Sequence, residues 1–475
     1  MNFILLKSFN VQFSAELAFT PLLFGETPLN IYGFFCIFIT HIFTMQTASK
    51  KIVNGWAMYD WANSVYNLVI TTTFFPAYYA AMTGLEKYPN GIKFLGRTYV
   101  NTELKDYVLA FGFLIVAVIS PILSSIADYK GNKKNFMQFF CYIGAASCSL
   151  MYFFDDHHIT LGLMCFMFAG IGFYGSQVFY NSYLPEISSE KDMDRISAKG
   201  YSLGYIGSVI MQMIGFGLVI MMPNDSLPLK LTFLLVGVWW VAFAQITFRA
   251  LPTTAKAERQ SKTNVFANGF IELKKVWNQV KHMPVLKRFL SAFFFYSMGV
   301  QTVMLVAIDF GIKELKLAND KLIITAVIIQ LVAIAGAILM SKLSSKFGNV
   351  KVLIFTVMLW ISICIAGYFI TTEVHFYILA SLVGLVMGGI QSLSRSTYSK
   401  MMPETKDTAS FFSFYDITEK FAIVIGLFTF GFIEGLYSIR ESILSLVVFF
   451  VLGFVFLLLT AAKQKNPLLS IETVS

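Results

Sequence analysis

Apolar runs of about 20 residues, the length a helix needs to cross a bilayer, return along nearly the whole of this chain. Spans are expected near 57–82, 106–127, 135–154, 159–182, 198–222 and 229–249. Six more are expected near 288–310, 322–344, 351–372, 376–397, 410–434 and 442–462, giving about 12 in all. In hydrocarbon each backbone group must be paired inside its own segment, so such runs fold as helices and pack as a bundle. Composition agrees: 56% of the 475 residues are hydrophobic and 13% are charged, whereas soluble domains carry about 25% charged residues. The expected class is an all-α membrane protein.

Asp60 breaks the apolar pattern of the first span. A carboxylate at a helix centre costs roughly 2.5–3.5 kcal/mol on insertion scales. Asn63, Ser64, Asn67 and Thr71 follow at three- and four-residue steps, which places them on one helix face. A polar stripe on such a helix faces a bundle interior or a water-filled cavity, not lipid.

The net charge of +9 is explained by topology rather than by nucleic acid, since Lys and Arg accumulate in cytoplasmic loops. With both termini inside, roughly 25 of the 36 basic residues fall on inward segments. The largest block, from Arg249 to Arg288, links spans six and seven. Within it Phe266, Phe270, Leu273, Trp277 and Val280 recur at helical steps, so this stretch is expected to lie along the inner membrane face. Cys36, Cys141, Cys148, Cys165 and Cys364 all sit in apolar runs without metal-ligand spacing, and their odd number argues against a disulfide framework. His157 and His158, after Asp155 and Asp156, read as a solvated turn rather than a metal site. Ile31–Phe43 is too short for a span and lacks the features of a signal peptide. Met45, followed by a short basic stretch, is the expected initiator, with residues 1–44 a mis-assigned start; an extra interfacial helix is the alternative reading of them.

The second half repeats the first. Gly131 and Gly348, Pro185 and Pro403, and Gly207 and Gly426 are each about 218 residues apart. A six-plus-six duplication with an even number of spans keeps both halves in one orientation, and places a binding site at the midplane between them. The expected division is an N-terminal segment 1–55, a six-helix bundle 56–250, a basic linker 251–285, a second bundle 286–462 and a tail 463–475.

The residues also carry a resemblance. Asp128, Gly131, Lys133 and Lys134 lie in a loop that resembles the major facilitator signature between spans two and three, with Ser124 and Asn132 departing from it. The copy after span eight is weaker, because Ser345 stands where the Asp would be. Tyr59–Ser64, Tyr180–Glu186, Gly299–Thr302 and Gly388–Ser396 resemble the vacuole-effluxer (autophagy-related) branch of that superfamily, including its bacterial members. The likeness runs from about 52 to 462. It implies 12 transmembrane helices in two pseudo-repeats (the major facilitator fold), secondary transport, and a cavity lined by spans one, four, seven and ten. Fungal relatives are associated with amino-acid export from the vacuole. The resemblance implies no particular substrate for a bacterial member.

The polar residues of those four spans are the candidates for a substrate cavity: Asp60, Asn63, Ser64 and Asn67; Gln177, Tyr180 and Asn181; Gln301, with Tyr296 and Ser297 nearby; and Gln391, Ser394 and Arg395. Amides and hydroxyls suit a zwitterion or polyol, and an Arg can clamp a carboxylate with two hydrogen bonds. Interhelical hydrogen bonding is the competing role for each amide. Asp416, Glu419 and Lys420 in span eleven share a helix face. With Asp60 they are candidates either for carrying a coupling proton or for a structural ion network. Asp128, Gly131, Lys133 and Lys134 are expected to make a contact that exists in one access state and not in the other.

The expected function is secondary active transport of a small polar solute, an amino acid or related metabolite, by alternating access, with efflux as one direction. A facilitative uniporter or a non-translocating receptor is the alternative. No glycine-rich phosphate loop and no nucleophile–base set is evident, so neither an ATPase nor an enzyme is expected. No cofactor is expected beyond a coupling proton or cation. The expected setting is a monomer in a bacterial inner membrane, with lipid and a small molecule as its partners, both termini cytoplasmic, and no nucleic acid.

Overall fold

The structure, a computed structural model, describes residues 46–84, 87–94, 96–223, 226–253 and 265–465. The expectations about residues 1–44 and about Cys36 fall outside the described residues. From Lys50 onward the chain is a bundle of long helices. Span one is Lys50–Val65, a π-helical stretch Tyr66–Phe74, and Phe75–Met82. Spans two to six are Asn101–Lys130, Lys133–Leu150, Ile159–Ser182, Met193–Met221 and Leu227–Ala250. Spans seven to twelve are Pro284–Lys313, Asn319–Phe347, Asn349–Phe369, Glu373–Met401, Thr408–Leu436 and Ile439–Lys465. Several helices outrun their apolar cores by about a turn, because the backbone stays helical after the sequence turns polar.

Ten helices among the described residues are long and apolar enough to cross a membrane. The two spans outside that set are the first and the eleventh. Span one is divided by its π-helical stretch, and span eleven carries Asp416, Glu419 and Lys420 near its middle. Both of these spans carry buried charge, Asp60 in the first and Asp416 and Lys420 in the eleventh. The π stretch has a local cause. Pro76 offers no N–H and crowds the carbonyl four residues back, while the hydroxyls of Thr72 and Thr73 both donate to Leu68 O, at 2.7 and 3.1 Å.

An even number of spans puts the first and last described residues, Gln46 and Lys465, at one end of the bundle, the terminal end. The opposite end carries a small antiparallel hairpin, Ile92–Phe94 paired with Arg97–Tyr99, before span two. Exposed Phe111, Leu114 and Val118 on span two, and Val448, Val451 and Leu452 on span twelve, form the apolar belt expected against lipid. Cys141, Cys148, Cys165 and Cys364 are free and buried, hence core residues rather than lipid-facing ones.

The duplication is visible in packing. A Cβ on Gly207 of span five would sit 2.8 Å from Trp61 O of span one, and one on Gly426 of span eleven 2.5 Å from Met298 O of span seven. Both glycines let equivalent helix pairs approach closely. The linker helix Val265–Lys281 packs against the bundle. Val276 and Val280 are buried, Trp277 stacks on Phe414 at 6.0 Å, and Lys275 pairs with Asp407 just before span eleven at 3.4 Å. It therefore docks on the bundle through one face and leaves Phe270 and Ile271 exposed.

Candidate functional site: a polar cavity between the halves

A cavity of about 130 Å³ lies between the two six-helix halves, and Asp60, Arg395, Asp416, Glu419 and Lys420 all line it. That is room for a small organic solute, on the order of ten water-sized groups. Two separate expectations, a substrate site and a charged cluster on span eleven, merge into one site.

On one wall Arg395 crosses from span ten into the first half and is 1% exposed. Its Nη1 donates to Asp60 Oδ2 at 3.2 Å and to Asn181 Oδ1 at 3.2 Å. Its Nη2 donates to Asp60 Oδ2 at 3.3 Å and to Ser197 O at 2.8 Å. Its Nε donates to Ser197 Oγ at 2.9 Å. A guanidinium has five N–H donors, and all five are engaged. Its plane also lies near the rings of Tyr201, Trp56 and Tyr180, at 4.2, 4.9 and 5.4 Å. Asp60 Oδ2 receives a further bond from the Tyr180 hydroxyl at 2.8 Å. Trp56 stacks on Tyr180 at 4.5 Å and donates to its carbonyl, which fixes that wall. This corrects the expectation for Arg395. It reaches the cavity, but its donors are already spent on the protein, so it has none free for a substrate carboxylate.

On the facing wall Lys420 donates to Asp416 Oδ1 at 2.9 Å and lies 3.3 Å from Glu419 Oε2. Its ammonium stands 4.5 Å above the Tyr174 ring. Gln301 donates to Glu419 Oε1 at 2.8 Å. Asp416 Oδ2 is buried without a hydrogen-bond partner. A buried pair of this kind is costly to break, about 3–5 kcal/mol when one partner is removed.

Ser64, Asn67, Gln177 and Gln391 also line the cavity, and Gln391 accepts from the Tyr205 hydroxyl. Three candidates lie elsewhere. Asn63 is buried on span one outside the cavity lining, with neither amide atom partnered. Ser394 is tied to Tyr296 at 2.7 Å and to Ile390 O, and Tyr180 acts through Asp60. Tyr201 and Tyr205 of span five, Tyr174 and Tyr415 complete the walls. Sequence reasoning missed them because a Tyr in an apolar helix reads as core. The four-residue step between Tyr201 and Tyr205 was the available signal.

The halves are joined by two contacts at the terminal end. In the first, Asp128 accepts the backbone N–H of Ala409 at 3.1 Å and of Ser410 at 2.8 Å, with the Ser410 hydroxyl at 2.8 Å. It thereby caps the N-terminus of span eleven. Lys133 pairs with Asp128 at 3.3 Å and also with Glu186 and Thr408. Gly131 makes the turn in the left-handed region, φ 65°. Lys134 departs from its expected role: it donates to Phe248 O and Leu251 O within the first half. In the second contact Asp194 of span five accepts from Ser344 at 2.8 Å, Asn349 at 2.7 Å and Lys400 at 2.7 Å, all in the second half. At the hairpin end His158 bonds Asp155, and no metal-binding group of His, Cys, Asp or Glu occurs among the described residues.

Comparison with known proteins agrees with this architecture. The family described as "Vacuole effluxer Atg22 like" matches residues 48–467. An uncharacterized MFS-type transporter of Bacillus subtilis, YxiO, is 32% identical over 420 residues, covering 87% of this chain and 95% of that one. Autophagy-related protein 22 of Pichia angusta is 26% identical over 419 residues, 75% of each chain. Among solved structures, the human organic anion transporter MFSD10 aligns with a TM-score of 0.67 at 9% identity, covering 86% of this chain and 99% of that one. The major facilitator transporter FucP, in its outward conformation, aligns at 0.65 with 15% identity, covering 86% and 97%. The relatives and structural neighbours are transporters, not enzymes. With its two six-helix halves and their shared polar cavity, the chain is a multi-pass membrane protein that belongs to the Atg22-like vacuole effluxer family of the major facilitator superfamily.

Proposed function

We propose that this transporter-family protein is a secondary active transporter, carrying a small polar solute by alternating access without ATP. The observation that carries the reading is a charged cavity built by both halves, which hydrogen-bonded carboxylates also join at the terminal end. Breaking those contacts at the terminal end, and closing the hairpin end, would expose the same cavity to the other side. The basic residues of the loops at the terminal end support a cytoplasmic placement of that end, with both termini inside a bacterial inner membrane. On this reading the structure is closed toward the cytoplasm. Asp60 and Asp416 are the groups that a coupling proton would reach, and a monomer contains the entire site.

Purified protein in liposomes should move solute down an imposed ion or solute gradient without nucleotide; flux that requires ATP contradicts the proposal. Asp60→Asn leaves Arg395 with an amide in place of its counter-ion. Coupled flux should fall by roughly tenfold or more, equivalent to about 1.4 kcal/mol, while the protein still inserts. Unchanged coupled flux across pH in that variant removes Asp60 from the mechanism.

A further inference from the structure

We propose that the cavity selects a cationic solute, an organic ammonium, over carboxylates and zwitterions. This rests on reading the cavity as the substrate site, and it follows from which polar atoms there remain free. Three carboxylates line the cavity, Asp60, Asp416 and Glu419, against two cations, Arg395 and Lys420.

Neither cation has capacity to spare. All five N–H groups of Arg395 are bonded to the first half. Lys420 has three N–H groups; it contacts Asp416 and Glu419 and points over the Tyr174 ring. A substrate carboxylate would therefore have to displace a protein carboxylate from a buried pair, which costs several kcal/mol.

The free valence is of the opposite kind. Asp416 Oδ2 is buried, lacks a donor, and belongs to a side chain that lines the cavity. A buried acceptor left unpaired costs about 1–3 kcal/mol, more when charged. An incoming N–H donor carrying positive charge removes that cost and balances the excess carboxylate. The walls suit the remainder of such a molecule: Tyr201, Tyr205 and Tyr415 line the cavity, and aromatic faces attract cations. The described residues hold no cluster suited to a metal ion, so an organic cation fits these walls better than a metal ion does.

The test uses the full-length protein in detergent and four probes of similar size: phenethylamine, 3-phenylpropionate, 2-phenylethanol and phenylalanine. Calorimetry should show phenethylamine binding roughly tenfold or more tightly than each of the others. Asp416→Asn, which keeps the size and the contact to Lys420, should weaken the amine by roughly tenfold and leave phenylethanol unchanged. Binding of the carboxylate or the zwitterion equal to that of the amine overturns the proposal. So does amine binding indifferent to Asp416→Asn, or no amine binding in the millimolar range. Distances between spin labels at the two bundle ends report alternating access separately. Movement with an anionic cargo keeps the transporter reading and sinks the cation assignment. Amine binding to halves that never move does the reverse.

Discussion

The two contacts that close the terminal end are pseudo-equivalent in place and opposite in construction. In one, the carboxylate sits in the last turn of span two, at Asp128, and reaches the backbone N–H groups that open span eleven. In the other, the carboxylate sits in the first turn of span five, at Asp194, and gathers the side chains of Ser344, Asn349 and Lys400 from the opposing half. Duplication has preserved a buried acid at each joint and changed which partner supplies it. Asp128 takes two backbone amides that survive side-chain truncation, whereas Asp194 depends on three side chains. The first joint should therefore be the stiffer and the less tolerant.

Removing Asp128 should have the largest effect. Asp128→Ala removes one of the two carboxylates of Lys133, which keeps Glu186, and uncaps two helix-terminal amides; it should cost about 2–4 kcal/mol of the joined state. Spin labels on the exposed Lys130 and Lys346 should then show the terminal end opening. Asp194→Asn should cost less, about 1–3 kcal/mol, because Lys400 keeps its 3.0 Å bond to Asn349. Equal effects in the two variants would break the proposed inequality between the joints. Next comes the exchange itself. Asp194→Ser with Ser344→Asp moves the acid across the joint, back toward the loop. A double-mutant cycle should return a favourable coupling of about 0.5–3 kcal/mol; additivity there would mean that the side on which the acid sits matters after all. Ser345→Asp restores the sequence signature at the aligned position. Ser345 is exposed and bonds only Lys342 O, so the change should stay within about 0.5 kcal/mol.

The smallest effect provides a control. Asp192, two residues before Asp194, bonds Thr47, Ser189 and Arg195 on its own side of the joint. The Thr47 hydroxyl at 2.6 Å, and then Arg195, hold its carboxyl below the usual range. A lowered folded-state pKa adds stability above the unfolded value near 4 and loses it as pH falls through the folded value. Thr47→Ala should shrink that acid-side loss by under about 1 kcal/mol, given the exposure of the site, as read from thermal unfolding at pH 3 to 6. The label distances should not change. If they do, the joint extends beyond Asp194.

The first joint was legible because Asp128 and its glycine form a compact local pattern. The second was not, because Asp194 has no such local pattern around it and its partners, 150 to 206 residues away, are scattered over three helices. Alignment pointed to Ser345, while the helix turns Ser344 inward. The same limit governs the cavity. Asp60 announced itself by the cost of its charge, and the twelve helices by their apolar length. That Asp60 and Arg395, 335 positions apart, satisfy each other rather than a ligand depends on how the halves meet. Periodicity within one helix cannot report that. Lys134 shows the converse: a residue inside a recognisable motif whose side chain serves only its own half.

The π-helical stretch Tyr66–Phe74 lies in the same span as Asp60 and contains Asn67 in its first turn. A π turn holds one residue more than an α turn, so it behaves as a stored insertion that can travel along a helix. As it passes a residue, that side chain swings by roughly 100°, the angle of one helical step. Span one could thus trade Asn67 for a neighbouring side chain at the cavity wall without losing its length or its hydrogen-bond count. The wall would be re-tiled from within a single helix while the two halves stayed in place.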